Sequence, residues 1–317
     1  MPARPLSGVI PVLPTPFREN GEVDPESLVR VAEYCVDRGA AGLLYPANAS
    51  EVQALTVDER IRLCSVLASA VGRAVPILIG VSSDSPTTSR RLVEVAESWA
   101  ADAILVMPPA GSPETVAAYL RAVLQDTHLR VVVQNAGPPA GPSLPVETLL
   151  AVLGEFPNVE YVKEESAPTG PRISRLLASK PAHVVGCFGG DGGRSVLNEL
   201  RRGAIGFMPA ADLVADYVLL YAQFTAGDLD AAYRTFVRIL PYLNLQRVYR
   251  WSATKRVLER MGLIESPMVR MDLGGSHRTS PLDPVDEDEL ARFVDGSEAA
   301  QGERARRASP GAASDTQ

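Results

Sequence analysis

Val159-Glu-Tyr-Val-Lys163 is an apolar, β-branched run that stops at a lysine, and its setting decides the fold. Seven further runs of the same kind accompany it: Gly8 to Leu13, Gly42 to Tyr45, Val75 to Gly80, Ala103 to Met107, Val131 to Gln134, Val184 to Cys187 and Ala204 to Met208. Each is followed by a helical pattern, and several helix starts are explicit. Asp24-Pro25-Glu26, Ser85-Pro86 and Ser112-Pro113-Glu114 put a capping side chain before a proline at the first helical position, and Thr56-Val-Asp-Glu59 is a capping box. Gly39 and Gly72 mark helix ends. Strands that alternate with helices pair in parallel through right-handed crossovers, and eight such units close a (β/α)8 TIM barrel, an α/β fold. A doubly wound open sheet is the alternative. It is disfavoured because no strand runs into a G-x-G-x-x-G turn, and eight parallel strands make a large open sheet for 317 residues.

After Met208 the pattern is purely helical, through Asp212 to Thr225, Leu229 to Leu240, Asn244 to Met261 and Asp286 to Phe293. This predicts a barrel over residues 1–225 and a C-terminal helical extension over 226–295 that caps the barrel or packs against another subunit. From Gly296 onward the chain lacks apolar anchors, so residues 296–317 read as a disordered tail.

Charge and cysteine usage exclude several function classes. A net charge of −7 and a pI near 5.2 leave no dense basic face for nucleic acid or anionic lipid. No apolar run approaches the roughly 20 residues of a membrane span, and the prolines at positions 2, 5, 11, 14 and 16 are unlike a signal peptide. The expectation is a cytoplasmic protein. Cys35, Cys64 and Cys187 are odd in number and widely spaced, and His128, His183 and His277 form no ligand spacing, so neither a disulfide framework nor a metal site is expected.

Of 31 basic residues only three are lysines, Lys163, Lys180 and Lys255. Arginine serves wherever a positive charge suffices, but a guanidinium stays protonated and cannot attack a carbonyl, whereas an amine can. Lys180 reads as a solvated helix end and Lys255 as part of a C-terminal helix face. Lys163 ends a strand, where barrels place catalytic groups, and alternation puts it on the same face as Tyr161. The alternative is a lysine that reaches solvent or pairs with Glu164 or Glu165. Held above an apolar barrel interior, an amine is driven toward the neutral form that attacks a ketone.

The elements Leu13-Pro-Thr-Pro-Phe17, Asn20-Gly-Glu-Val-Asp24, Leu55-Thr-Val-Asp-Glu-Arg60, Val162-Lys-Glu-Glu165 and Gly203-Ala-Ile-Gly206, in this order, resemble the dihydrodipicolinate synthase and N-acetylneuraminate lyase family. The resemblance runs from about Gly8 to about Met261 and implies a barrel whose sixth strand ends in a Schiff-base lysine, here Lys163. Where that family carries a Gly-Thr-Thr-Gly-Glu-like loop after strand 2, this chain has Ala47-Asn-Ala-Ser-Glu51; the Tyr-Asn-x-Pro segment of strand 5 reads Gln134-Asn-Ala-Gly-Pro138. The arginine that follows in the synthases is replaced by Pro139, and an aromatic pair after strand 4 by Pro109-Ala110. An Ala-Asn-x-Ser-Glu loop with a strand-5 glutamine, and the Asn244-Leu-Gln-Arg247 stretch followed by Lys255, are similar to the L-2-keto-3-deoxyarabonate dehydratase subgroup.

Chemistry favours the same choice. Retro-aldol cleavage needs a base at the C4 hydroxyl, which a tyrosinate supplies and a neutral amide does not, so Gln134 can only orient. Dehydration needs no such base: the Lys163 iminium acidifies C3, and the enamine formed expels the C4 hydroxyl. The expected activity is that of a class I lyase dehydrating a 2-keto-3-deoxy sugar acid such as 2-keto-3-deoxyarabonate, without metal or cofactor. A pyruvate-dependent aldolase or a synthase-like condensing enzyme is one alternative, and a non-catalytic keto-acid-binding barrel another. Lys163 and Gln134 are the expected catalytic residues. Asn48, Ala49, Ser50, Asn135 and Glu165 are the expected substrate-binding set, with the Asn48 and Ala49 N–H groups receiving the substrate carboxylate; Asn48 and Ser50 could instead stabilise a turn, and Glu51 reads as structural. Glu165 is also the candidate C3 base. The glycine-rich Gly186 to Gly193 segment is a weak anion-cradle signal for which a flexible turn is the alternative. The resemblance further implies a homo-oligomer, a tetramer, for which Tyr217, Leu219, Leu220, Tyr221 and Phe224 offer apolar surface unless they pack within one chain.

Overall fold

All eight runs become parallel strands in the computed structural model, which describes residues 5–270 and 282–296. They are β1 (Gly8–Val9), β2 (Leu43–Tyr45), β3 (Ile77–Gly80), β4 (Ala103–Val106), β5 (Arg130–Asn135), β6 (Val159–Glu164), β7 (Gly186–Gly189) and β8 (Gly206–Phe207). The ladder runs β1-β8-β7-β6-β5-β4-β3-β2, and a parallel bridge between Val12 and Leu44 returns β1 to β2. Leu13 N–H donates to Leu44 O at 3.0 Å and Leu44 N–H to Pro11 O at 3.0 Å across that seam. Closure makes a TIM barrel and excludes the open sheet. The first run pairs over only two ladder residues plus parallel bridges of Val12 to Leu44 and Ala210, because Pro11 and Pro14 have no N–H to give to a ladder.

Helices α1 (Pro25–Asp37), α2 (Val57–Val71), α3 (Pro86–Ser98), α4 (Pro113–Leu124), α5 (Val146–Glu155), α6 (Thr169–Ser179), α7 (Val196–Leu200) and α8 (Val214–Thr225) alternate with the strands. The caps read from the sequence are made: Asp24 accepts from Ser27 N–H at 3.2 Å, Thr56 from Glu59 at 3.2 Å, Ser85 from Thr88 at 3.3 Å and Ser112 from Thr115 at 3.4 Å. Each contributes about 1 kcal/mol to its helix start.

Side chains alternate across the sheet with period two and form two cores. Leu78, Leu105, Val132, Tyr161 and Phe188 fill the barrel interior, while Ile79, Ile104, Val133, Val162 and Cys187 pack against the helical shell. Leu6 plugs the lower end, its N–H donating to Tyr161 Oη at 3.0 Å. Cys35, Cys64 and Cys187 are buried and unpaired.

The C-terminal helices differ from the sequence expectation at one boundary. Helix α9 (Leu229–Tyr249) continues through Pro241 and Asn244, and the break falls at Arg250, with φ of +44°, before α10 (Trp251–Arg260). Burial of Tyr242 and Leu243, at 1% and 0% exposure, and stacking of Tyr242 on Phe293 of α11 (Pro284–Gly296) hold the helix together against a proline penalty of about 3 kcal/mol. Apart from Gly296, which ends α11, the expected tail lies outside the described residues.

The apolar surface expected on α8 for self-association is largely used within the chain: Tyr217 and Leu220 are fully buried, and Tyr221 Oη donates to Ile205 O at 3.1 Å. Leu219 of α8 stays exposed, and further exposed apolar side chains follow α9, at Leu229, Tyr233, Val237 and Val248. No helix among the described residues is long and apolar enough to cross a membrane.

Candidate active site

Register and parity bring Lys163 and Gln134 together. They are direct partners across β5 and β6, and both sit one step above the interior pair Val132 and Tyr161. Lys163 is 3% exposed, and its Nζ lies 3.3 Å from Glu165 Oε1. Glu165 follows β6 immediately, with its N–H continuing the ladder to Asn135 O at 2.9 Å. Two donors hold its carboxylate: Gln134 Nε2 at 2.6 Å on Oε2, and Asp191 N–H at 2.8 Å on Oε1. A buried amine ion-paired to a carboxylate, which is in turn hydrogen-bonded by an amide, thus forms one unit above an apolar barrel interior.

A cavity of about 240 Å³ opens above this unit. Lys163 and Glu165 line it, together with Asn48 and Ala49 of the turn after β2 and Ala136 to Ala140 after β5. The far wall comes from the loop after β7 and from α9 and α10, through Asp191, Arg194, Arg247, Arg250 and Trp251. The Asn48–Ser50 segment is a single 3-10 turn, so the N–H groups of Asn48 and Ala49 have no acceptor inside it and suit an incoming carboxylate. The Asn48 amide donates to Ala140 O at 3.1 Å and accepts from Gln53 Nε2 at 3.3 Å, tying this turn to the loop after β5.

Three expected site residues play other parts. Gln134, 2% exposed, does not line the cavity; it sits behind Glu165 and orients that carboxylate rather than the substrate. Ser50 is fully buried, with its hydroxyl donating to Leu13 O at 2.5 Å and accepting from Ala47 N–H at 3.0 Å, so it fixes the turn. Asn135 has the opposite parity from Gln134 and therefore points out of the barrel. There its amide donates to both oxygens of Glu164 at 3.0 Å, and its Oδ1 accepts from Leu144 N–H at 2.8 Å. Arg172 pairs with Glu164 at 3.2 Å, and burial still pushes the Glu164 carboxyl above its ordinary range.

The glycines after β7 are required by close approach, not by flexibility. A Cβ on Gly189 would lie 1.9 Å from Glu199 Oε2, and one on Gly190 would lie 2.2 Å from Glu165 Oε1. The strand end is pressed between two carboxylates, one on each face. Glu199 of α7 is 1% exposed; Thr169 donates to its Oε1 at 2.6 Å, and Oε2 has no partner. Desolvation first, with repulsion from Glu165, Asp191 and Glu164, pushes its pKa up to about 7 despite the Thr169 bond.

Helix α10 braces the carboxylate turn from outside. Trp251 Nε1 donates to Asn48 O at 2.9 Å, and buried Lys255 pairs with buried Glu51 while donating to Met268 O at 2.6 Å. The Lys255 ammonium also lies 4.2 Å over the Phe17 ring. Burial lowers its pKa to about 8 against the pull of Glu51. Lys255 thus lies on a C-terminal helix as expected, on its buried face, and Glu51 is structural through this pair. The bracing residues Trp251 and Lys255 share the i, i+4 face of α10. Lys180 sits at the end of α6, partly covered, and its ammonium donates to Val184 O.

Among the described residues, no group of three or more His, Cys, Asp or Glu side chains is placed to hold a metal ion. The chain matches the model of the dihydrodipicolinate synthetase family over residues 5–294. It belongs to that family. As a family member the chain is a lyase built on a TIM barrel. It is 27% identical over 271 residues to the 4-hydroxy-tetrahydrodipicolinate synthase of Parabacteroides distasonis, covering 83% of this chain and 90% of that protein. It is equally 27% identical, over 261 residues, to the L-2-keto-3-deoxyarabonate dehydratase of Azospirillum brasilense, covering 80% and 84%. Among solved structures, a putative dihydrodipicolinate synthetase from Pseudomonas aeruginosa superposes with a TM-score of 0.83 at 26% identity, over 92% of this chain and 99% of that one. Two activities at equal identity leave the choice between them to the site of this family member.

Proposed function

We propose that this lyase forms an imine between Lys163 and a 2-oxo acid and dehydrates a 2-keto-3-deoxy sugar acid. The observation that carries the reading is the Lys163–Glu165–Gln134 unit: the amine has a carboxylate within 3.3 Å, and strand 5 offers an amide and no phenol. The Lys163 proton passes to Glu165, and the freed amine attacks C2 of the substrate, whose carboxylate rests on the Asn48 and Ala49 N–H groups. Loss of water from the carbinolamine gives the iminium. Glu165, returned to the carboxylate, takes a C3 proton; the enamine expels the C4 hydroxyl, which leaves as water with a proton from Glu165. Hydrolysis of the imine then frees the product and the amine. Gln134 keeps Glu165 aimed along this path, and cannot itself take the C4 hydroxyl proton that carbon–carbon cleavage requires.

The homo-oligomer that the family resemblance implies would cover the exposed apolar side chains of α9. Borohydride trapping tests the imine. With pyruvate or a 2-keto-3-deoxy acid, mass spectrometry should find a reduced adduct on Lys163, and Lys163→Arg should lose both adduct and turnover. A folded wild-type enzyme without adduct, or substantial turnover by Lys163→Arg, refutes the reading. Semialdehyde and pyruvate assays on one substrate panel then separate dehydration from aldol cleavage.

A further inference from the structure

One wall of the cavity is held by a buried carboxylate that the proposed reaction does not use. Asp212, on the turn Ala211–Leu213 after β8, is 0% exposed and lies behind the cavity lining. Three donors meet on its Oδ2: Tyr242 Oη, Gln246 Nε2 at 3.0 Å and Thr254 Oγ1 at 3.1 Å. Its Oδ1 has no partner among the described residues. A buried carboxylate with one oxygen unsatisfied costs stability that packing does not return. Two of its three partners, Gln246 of α9 and Thr254 of α10, line the cavity.

This network fixes which way Gln246 faces. A primary amide has two N–H donors and one acceptor oxygen. Both donors are engaged, one on Asp212 Oδ2 and one on Thr254 Oγ1 at 3.2 Å. A flipped amide would set its oxygen against the Asp212 carboxylate, so only Oε1 is left for the cavity. Among the described residues its donor is Arg194 Nη2 at 3.4 Å, a long bond that leaves accepting capacity. Gly192, also on the lining, keeps this oxygen uncovered, since a Cβ there would lie 2.8 Å from it.

We infer that Gln246 is a specificity-determining residue: its Oε1 accepts a hydrogen bond from a substrate hydroxyl on C5, the carbon beyond the reacting C4. The inference rests on the imine reading and adds to it the group that reads the substrate's far end. A hydroxyl has a proton for Oε1; a carboxylate has none, and a methyl end leaves the amide oxygen without a partner. Asp212 and Thr254 are positioning residues, which act by holding the amide in this one orientation.

Imine trapping reads this without turnover. Three five-carbon 2-oxo acids differing only at C5 are compared: 5-hydroxy-2-oxopentanoate, 2-oxopentanoate and 2-oxoglutarate. In the wild-type enzyme, half-maximal borohydride trapping on Lys163 should need about tenfold less of the hydroxy acid than of either other acid. Gln246→Met keeps the length of the side chain and removes the acceptor, so trapping of the hydroxy acid should fall to the level of 2-oxopentanoate. Thr254→Val leaves Gln246 on Asp212 but releases one amide hydrogen, and should cut the preference about threefold. Circular dichroism checks the fold of both variants. Equal trapping of the three acids by wild type, or a preference for either of the other two, with pyruvate still trapped, overturns this inference alone. A hydroxyl preference that persists undiminished in folded Gln246→Met, or in Thr254→Val should the first variant not fold, overturns the assignment to Gln246. Absence of any adduct, pyruvate included, sinks the imine reading and this inference with it.

Discussion

Replacing Glu199 by glutamine isolates the energetic cost of pressing a second carboxylate against the end of β7. Glu199 is 1% exposed, one of its oxygens is unpartnered, and its pKa is raised from 4.5 to about 7. Between those values the folded chain holds a proton that the unfolded chain has released. Glu199 therefore contributes stability that is fully present below about pH 4.5 and is lost as pH rises through about 7. A shift of this size corresponds to roughly 3 kcal/mol. Glutamine has the same shape and no titration, so it removes the pH dependence while leaving the Thr169 hydroxyl an oxygen to donate to. Its amide N–H groups still face a spot without an acceptor, which offsets part of any absolute gain. The difference between the two proteins is thus the quantity to follow. Chemical denaturation at a series of pH values should show wild type losing about 3 kcal/mol relative to Glu199→Gln between about pH 4.5 and pH 8, with other titrations cancelling. At about 2 cal/mol/K of unfolding entropy per residue, that is a melting-temperature divergence of about 5 °C. Parallel stability curves across this range would show that Glu199 is ionised in the folded protein at low pH, and would refute the argument from desolvation.

Gln134→Tyr should raise the ratio of pyruvate release to dehydration, since a phenol in this place reaches toward the reacting carbons; each 1 kcal/mol of changed preference shifts the ratio about fivefold. An unchanged product ratio in a folded variant counts against the role given to strand 5. Trp251→Phe keeps the ring but removes the donor to Asn48 O, so KM for a 2-oxo acid should rise about threefold to tenfold with kcat changed less, the signature of a loosened carboxylate turn. A fall in kcat at constant KM would show that Trp251 acts on the chemistry instead. In light scattering at micromolar concentration the wild type should exceed 33.9 kDa severalfold, and Val237→Asp with Val248→Asp should reduce that mass; a monomeric wild type refutes self-association through α9.

Strand positions and helix caps were legible in the sequence because each depends on local pattern, and so was the candidate nucleophile. Eight apolar runs fix a parallel sheet, serine or aspartate before proline fixes a helix start, and a lone strand-end lysine among arginines singles out the amine proposed to form the imine. Period-two alternation also carried Lys163 and Gln134 to one face, since a strand cannot shift its register by one without turning every side chain over. The same rule applied to Asn135 would have taken it out of the site. What the sequence could not supply was contact between residues far apart in the chain. Gln134 reads as a catalytic residue that orients the substrate until Glu165 comes between it and the cavity, and Ser50 reads as polar and available until Leu13 O claims its hydroxyl. Likewise Glu51 and Lys255, 204 positions apart in sequence, meet only because α10 returns across the mouth of the barrel. Those partners are chosen by tertiary packing, because burial leaves each polar atom whichever partner the folded chain brings within reach.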